Sequence, residues 1–153
     1  MKHHGYIQWL FPIRESGMNA SSEELQPHEI QIIRNDPTCQ ARVIKSLELM
    51  LDFYGFVLKN PQTGELERSS NYIGRFRNLN WSSHNYLRIT RILKSLGELG
   101  FEHMKKNIVA KFIEECFVTE ALPNIKRSLV DYWVPVLRNG TTAFSEIAHV
   151  NRC

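Results

Sequence analysis

The residues best equipped for chemistry are cations interleaved with aromatic and amide side chains: Arg75, Arg77, Arg88, Arg91 and Lys94 beside Trp81, Asn85 and Tyr86. Arg88, Arg91 and Lys94 recur every three residues, which sets them on one side of a helix. Cations next to aromatic rings suit a carboxylate or a phosphate, because a guanidinium meets such a group with two parallel hydrogen bonds. The blander and commoner reading of the same stripe is a solvated helix face whose charges pair with Glu98 or Glu102. Asp52 and Tyr54 form a similar, weaker pair, for which a purely structural role weighs more heavily still.

Catalysis and metal binding have less to work with. The chain lacks a phosphate-cradling P-loop, a dinucleotide glycine fingerprint, a nucleophile elbow and a zinc-protease helix. His28-Glu29 begins the last of these, but Ile32 stands where the second histidine belongs. Apart from the adjacent His3 and His4, none of the six histidines is spaced to aim with another at one ion. Cys39, Cys116 and Cys153 are odd in number and far apart, so they read as reduced thiols, with Cys116 a small core residue in the apolar run 112–117. The expectation is a binding or interaction protein, with no enzyme activity, catalytic residue, metal or cofactor.

A chain of 153 residues with 42% hydrophobic and 23% charged residues has the composition of one globular domain. A formal charge of +3 permits a local basic stripe and argues against nucleic acid as the main partner. No run is apolar for long enough to cross a membrane, and the start does not read as a signal peptide, so the chain is expected to be intracellular. The glycosylation sequons at Asn19, Asn80 and Asn139 are then unused.

These residues need elements to hold them. Residues 4–12 pack large apolar side chains into a stretch too short for a free helix, so it must dock on something; residues 14–26 read as a solvated loop. Pro27 opens a short helix to about Asn35, and Asp36-Pro37 starts a long one carrying Val43, Leu47, Met50 and Tyr54, stopped by Gly55. The cluster at 60–64 is a turn around which Val57, Leu58 and Leu66 can pair. An amphipathic segment at 70–79 follows, and Asn80 is placed to cap a helix at 87–99 whose interior Gly97 marks a close crossing. Helices over 102–120 and from Pro123 complete the set, the last ending near Val134 because Pro135 breaks the hydrogen-bond ladder. The expectation is an all-α single domain of about five or six packed helices with an aromatic N-terminal segment, spanning 4–138. Residues 139–153 are expected to form a divergent, weakly ordered tail.

Particular strings say more than periodicity does. Residues 6–12 (YIQWLFP), 47–55 (LELMLDFYG) and above all 72–80 (YIGRFRNLN) through 87–100 (LRITRILKSLGELG) closely resemble the conserved domain of the opioid growth factor receptor family, a resemblance covering about residues 4–134. It implies an α-helical domain, a nuclear and perinuclear location, and a role in growth regulation on binding Met-enkephalin, a short opioid peptide. Family members carry further sequence upstream, so Met1 reads as a late start, and the family's long C-terminal region does not follow Arg138.

A short peptide with free ends offers an ammonium, a carboxylate and aromatic side chains. On that requirement Asp52 with Tyr54 is expected to meet the ammonium, and Arg88 or Arg91 with Trp81 the carboxylate. The alternative is a nuclear scaffold or interaction module in which the Arg88 and Arg91 face meets an acidic protein or a nucleic acid.

Overall fold

Asp36 sets the frame of the molecule. Its carboxylate accepts from the backbone amides of Thr38 (2.8 Å) and Cys39 (3.4 Å), two donors that the first turn of a helix leaves unsatisfied. These bonds hold the Asp36 carboxyl below its ordinary value. Pro37 follows where its missing N–H does no harm, and Gly55 ends the helix in the left-handed conformation at φ 98°.

The computed structural model describes residues 6–15 and 23–137. The expected tail at 139–153 lies outside the described residues. The described order is α1 (Tyr6–Leu10), α2 (Pro27–Asn35), α3 (Pro37–Tyr54), β1 (Phe56–Asn60), β2 (Glu65–Arg68), α4 (Tyr72–Trp81), α5 (His84–Glu98) and α6 (Glu102–Ile113). Helix α6 runs on as a π-helical turn over Glu114–Val118. A 3₁₀ turn at Pro123–Ile125, a short α7 (Lys126–Ser128) and a second π turn at Leu129–Trp133 follow. The protein is 68% helical, with seven helices and one small sheet among the described residues. That is the mostly helical single domain the periodicity predicts. No helix among the described residues is long and apolar enough to cross a membrane.

The core lies where α3, α5 and α6 meet. Leu47, Met50, Leu93, Leu96, Met104, Ile108 and Phe112 are almost wholly buried there, at the three- and four-residue spacing visible in the sequence. Trp133 closes it from the C-terminal side. Its ring lies 4.8 Å from Phe112 and 6.3 Å from Tyr86 between centroids, and its indole N–H donates to Thr90 Oγ1 at 3.0 Å. Aromatic packing and a satisfied polar tip are the two conditions under which a fully buried tryptophan stabilises. The chain turns just after it, over Val134 to Val136, as Pro135 demands.

The hairpin forms, with Phe56 opposite Arg68 and Leu58 opposite Leu66. Its turn rests on α6: a Cβ built on Gly64 would come within 2.5 Å of the Met104 carbonyl oxygen, and Gly64 has φ +80°. Arg68 then reaches the buried Glu115, donating Nε–H to Oε1 at 2.9 Å and a second N–H to Oε2. Lys111 at 3.2 Å and the Thr119 hydroxyl at 2.7 Å complete the shell around this carboxylate, whose side chain is 1% exposed.

Asn80 does not cap α5. Helix α4 continues through it to Trp81, and its side-chain amide instead donates to the Ala121 carbonyl at 2.9 Å, tying α4 to the loop before Pro123. Gly97 does mark a close approach, since a Cβ there would meet Glu102 Oε2 and Lys105 Nζ at 2.5 Å.

Candidate ligand-binding cleft

The N-terminal aromatic segment docks on α5, and the basic stripe is what holds it. A five-residue helix such as α1 has C-terminal carbonyls with no partner inside the helix. Arg91 supplies them: its Nε–H donates to the Phe11 carbonyl at 2.8 Å and a terminal N–H to the Gln8 carbonyl at 3.4 Å. The Ser95 hydroxyl donates to the Pro12 carbonyl at 2.8 Å. Lys94 pairs with Glu15 at 3.0 Å, and Arg14 of the segment pairs with Glu98 at 3.0 Å. Burial lowers the Arg91 pKa from its ordinary value, against the opposing pull of Glu15. Arg91 and Lys94 are thus spent on the carbonyls and one carboxylate of the chain's own N-terminal segment.

Arg91→Ala removes charge-assisted hydrogen bonds of about 1.5–3 kcal/mol. It is therefore expected to raise the opening rate of α1 without unfolding α3 to α6. The Phe11 amide, which donates to the Ile7 carbonyl at 3.0 Å, reports this by hydrogen exchange. Lys94→Ala should change it far less, because that ion pair is exposed.

Docking α1 beside α2 leaves a cleft of about 330 Å³ between them. Its apolar walls come from Trp9 and Pro12 on one side and Leu25, Ile32 and Ile33 on the other. Trp9 is 66% exposed and Ile32 60%, an unusual pair of large apolar side chains left facing water across one concavity. The polar lining is Gln8 with the carboxylates Glu23, Glu24 and Glu29. Glu29 also accepts from the Gln26 backbone amide at 2.8 Å, closing the capping box that starts α2. Among the described residues, no lysine, arginine or histidine lines this cleft. Gln8 carries a buried Oε1 that accepts from no donor among the described residues.

The five residues singled out from the sequence fall in different surroundings. Tyr54 is buried in the core, at 2% exposure, and burial pushes its phenol pKa upward, with Arg88 opposing that shift. Its hydroxyl has no hydrogen-bond partner among the described residues, and the apolar void beside it, about 10 Å³, is too small for more than a water. Arg88 donates to Asn85 Oδ1 at 3.1 Å. Asp52 is two residues from Tyr54 and so faces the other way, toward solvent and Arg75 at 3.9 Å. Trp81 projects from the end of α4 at 82% exposure, and Arg91 is committed to α1. The charge of the half-buried Arg88 thus reaches the buried Tyr54, and Asp52 is turned away from Tyr54.

The cleft residues escaped the sequence reading for a simple reason. Trp9 belonged to a segment expected to dock, Ile32 to a short helix, and Glu23 and Glu24 to a solvated loop; only the fold joins them. The one usable signal was an apolar Ile32 next to Ile33, since a helix this short cannot bury both faces.

A family model described as "Opioid growth factor receptor (OGFr) conserved region" matches residues 1–150. The chain is 48% identical over 136 residues to the human protein named "Opioid growth factor receptor", covering 89% of this chain and 20% of that protein. It is 45% identical over 137 residues to the protein of the same name from Mus musculus, covering 90% and 22%. It is 44% identical over 137 residues to "Opioid growth factor receptor-like protein 1" of Xenopus tropicalis, covering 90% and 27%. The chain thus spans about a fifth to a quarter of the length of these relatives. No solved structure matches. The aromatic N-terminal segment, the α3 and α5 strings and a match running nearly end to end place this chain in the opioid growth factor receptor family.

Proposed function

We propose that this chain is a receptor-like domain that binds a short opioid peptide of the Met-enkephalin class, without a catalytic step, as part of growth regulation in the nucleus and perinuclear cytoplasm. The observation that carries the reading is the cleft between α1 and α2, lined by the exposed Trp9 and Ile32 together with carboxylates. Such a surface suits an aromatic side chain that arrives with a positive charge. Arg91 is then a positioning residue, holding the α1 wall of the cleft through the Gln8 and Phe11 carbonyls. The scaffold alternative needs the Arg88 and Arg91 face to be open to an acidic partner, and Arg91 and Lys94 are engaged with the N-terminal segment.

Calorimetry with Met-enkephalin against a scrambled peptide of the same composition that begins with glycine tests the proposal. Saturable binding of the first and none of the second is expected. Trp9→Ala and Ile32→Ser, both at exposed positions, should each weaken binding about tenfold or more while leaving the thermal unfolding curve in place. Equal heats from the two peptides, or affinity untouched by either substitution, would remove the cleft from consideration.

A further inference from the structure

We infer that the cleft reads the amino end of its peptide and ignores the carboxyl end, so its ligand class is any peptide with a free amino-terminal aromatic residue, whatever follows. The inference rests on the peptide-binding reading above and adds a direction to it.

Three observations carry the direction. Among the described residues, the cleft is lined by Glu23, Glu24 and Glu29 and by no cation. A carboxylate brought there meets the like charge of these side chains in a partly desolvated setting, whereas an ammonium meets opposite charge. The cations that a peptide carboxylate would need are elsewhere engaged: Arg91 with the Phe11 and Gln8 carbonyls, Lys94 with Glu15, Arg14 with Glu98. Gln8 adds an acceptor oxygen with no donor among the described residues, so this wall, too, lacks hydrogen rather than oxygen.

Size gives the second half. At about 330 Å³ the cleft is at the small end of the range for ligand pockets, roughly 300–1,000 Å³. A peptide of several residues extends about 3.3–3.6 Å per residue, so only its first residue or two fit inside and the rest must lie in solvent. An end in solvent is not read. Extension, amidation or fusion at the carboxyl end therefore leaves recognition intact, and acetylation at the amino end removes it, since the amide left behind has no charge.

The test is calorimetry on the folded chain with four probes: Met-enkephalin as the free acid, its carboxyl-terminal amide, its amino-terminally acetylated form, and a version extended at the carboxyl end by several uncharged residues. The amide and extended peptides should bind within about twofold of the free acid, or tighter. The acetylated peptide should bind at least tenfold more weakly. In the double variant Glu23→Gln with Glu24→Gln, which spares the capping carboxylate of Glu29, the gap between free and acetylated amine should shrink. Acetylated peptide binding as well as free peptide, or an amide that binds tenfold worse, overturns the direction while leaving peptide binding standing. No binding by any of the four overturns the peptide-binding reading and the direction with it.

Discussion

Trp133→Ala is expected to lower the unfolding free energy by about 3–5 kcal/mol, measured by urea denaturation at neutral pH. The side chain is wholly buried, and three residues on two helices close around it: Phe112 on α6, and Tyr86 and Thr90 on α5. Truncation leaves a ring-sized cavity whose walls are helix backbones that cannot collapse into it, and that is the condition for the upper part of the range. A domain of this size has about 5–15 kcal/mol in total, so the variant should stand near the edge of folding. Arg42→Ala, on the exposed face of α3, is the control and should stay within about 0.5 kcal/mol. A Trp133→Ala loss below about 1 kcal/mol would mean that the C-terminal π turn does not close the core.

The second large effect concerns Arg68 and Glu115. Arg68→Ala strands a carboxylate whose side chain is 1% exposed, and it removes the guanidinium stacked 4.5 Å from the Tyr72 ring centroid. Breaking a buried pair costs about 3–5 kcal/mol because the remaining charge has lost its partner and cannot reach water. Lys111 and Thr119 soften that loss, so about 3 kcal/mol is expected. Glu115→Ala should cost somewhat less, because Arg68 is 30% exposed and can turn outward. The pH dependence has a fixed sign. Burial raises the Glu115 pKa, but hydrogen bonds from Arg68, Thr119 and Lys111 outweigh it and hold the folded value below that of an ordinary glutamate. A carboxyl depressed in the folded state adds stability that is present above its unfolded pKa and lost as pH falls through the folded one. The difference between the parent chain and Arg68→Ala should therefore be full near pH 7 and shrink as pH drops below about 4. A difference that is constant, or grows in acid, would mean that the pair is not charged in the folded protein.

How far the sequence announced all this depends on how far apart the partners lie. Helix α3 was legible at both ends, because Asp36-Pro37 and Gly55 act on their own neighbours within one turn. The break after Trp133 was legible for the same reason, through Pro135. The hairpin was visible only as a turn cluster, since strands of five and four residues carry little alternation. Asn80 misled because asparagine satisfies a loop carbonyl as readily as a helix amide, and only the tertiary fold offers Ala121. Arg91 was noticed as a cation, but its partners are backbone carbonyls, which every residue has and no pattern marks. Glu115 lay in the apolar run around Phe112 and Cys116, where a buried charge is a conflict that only Arg68, 47 residues earlier, resolves. The cleft is the extreme case: Trp9, Glu23 and Ile32 belong to three segments that each looked ordinary alone.

The span between α1 and its clasp also bears on the order in which the molecule is made. Phe11 and Arg91 are 80 residues apart, and Pro12 and Ser95 are 83 apart. During synthesis the aromatic segment emerges before α5, and its Arg91 and Ser95 partners leave the ribosome only several seconds later at typical elongation rates of about 5–20 residues per second. For that interval Trp9 and Phe11 are exposed on a nascent chain, available to chaperones. The helices that make the core close around local contacts, while the wall of the cleft waits for a loop of about this length to shut. The α1 wall of the cleft is thus complete only once residues 91 to 95 are in place, and a modest weakening of that clasp would undo it.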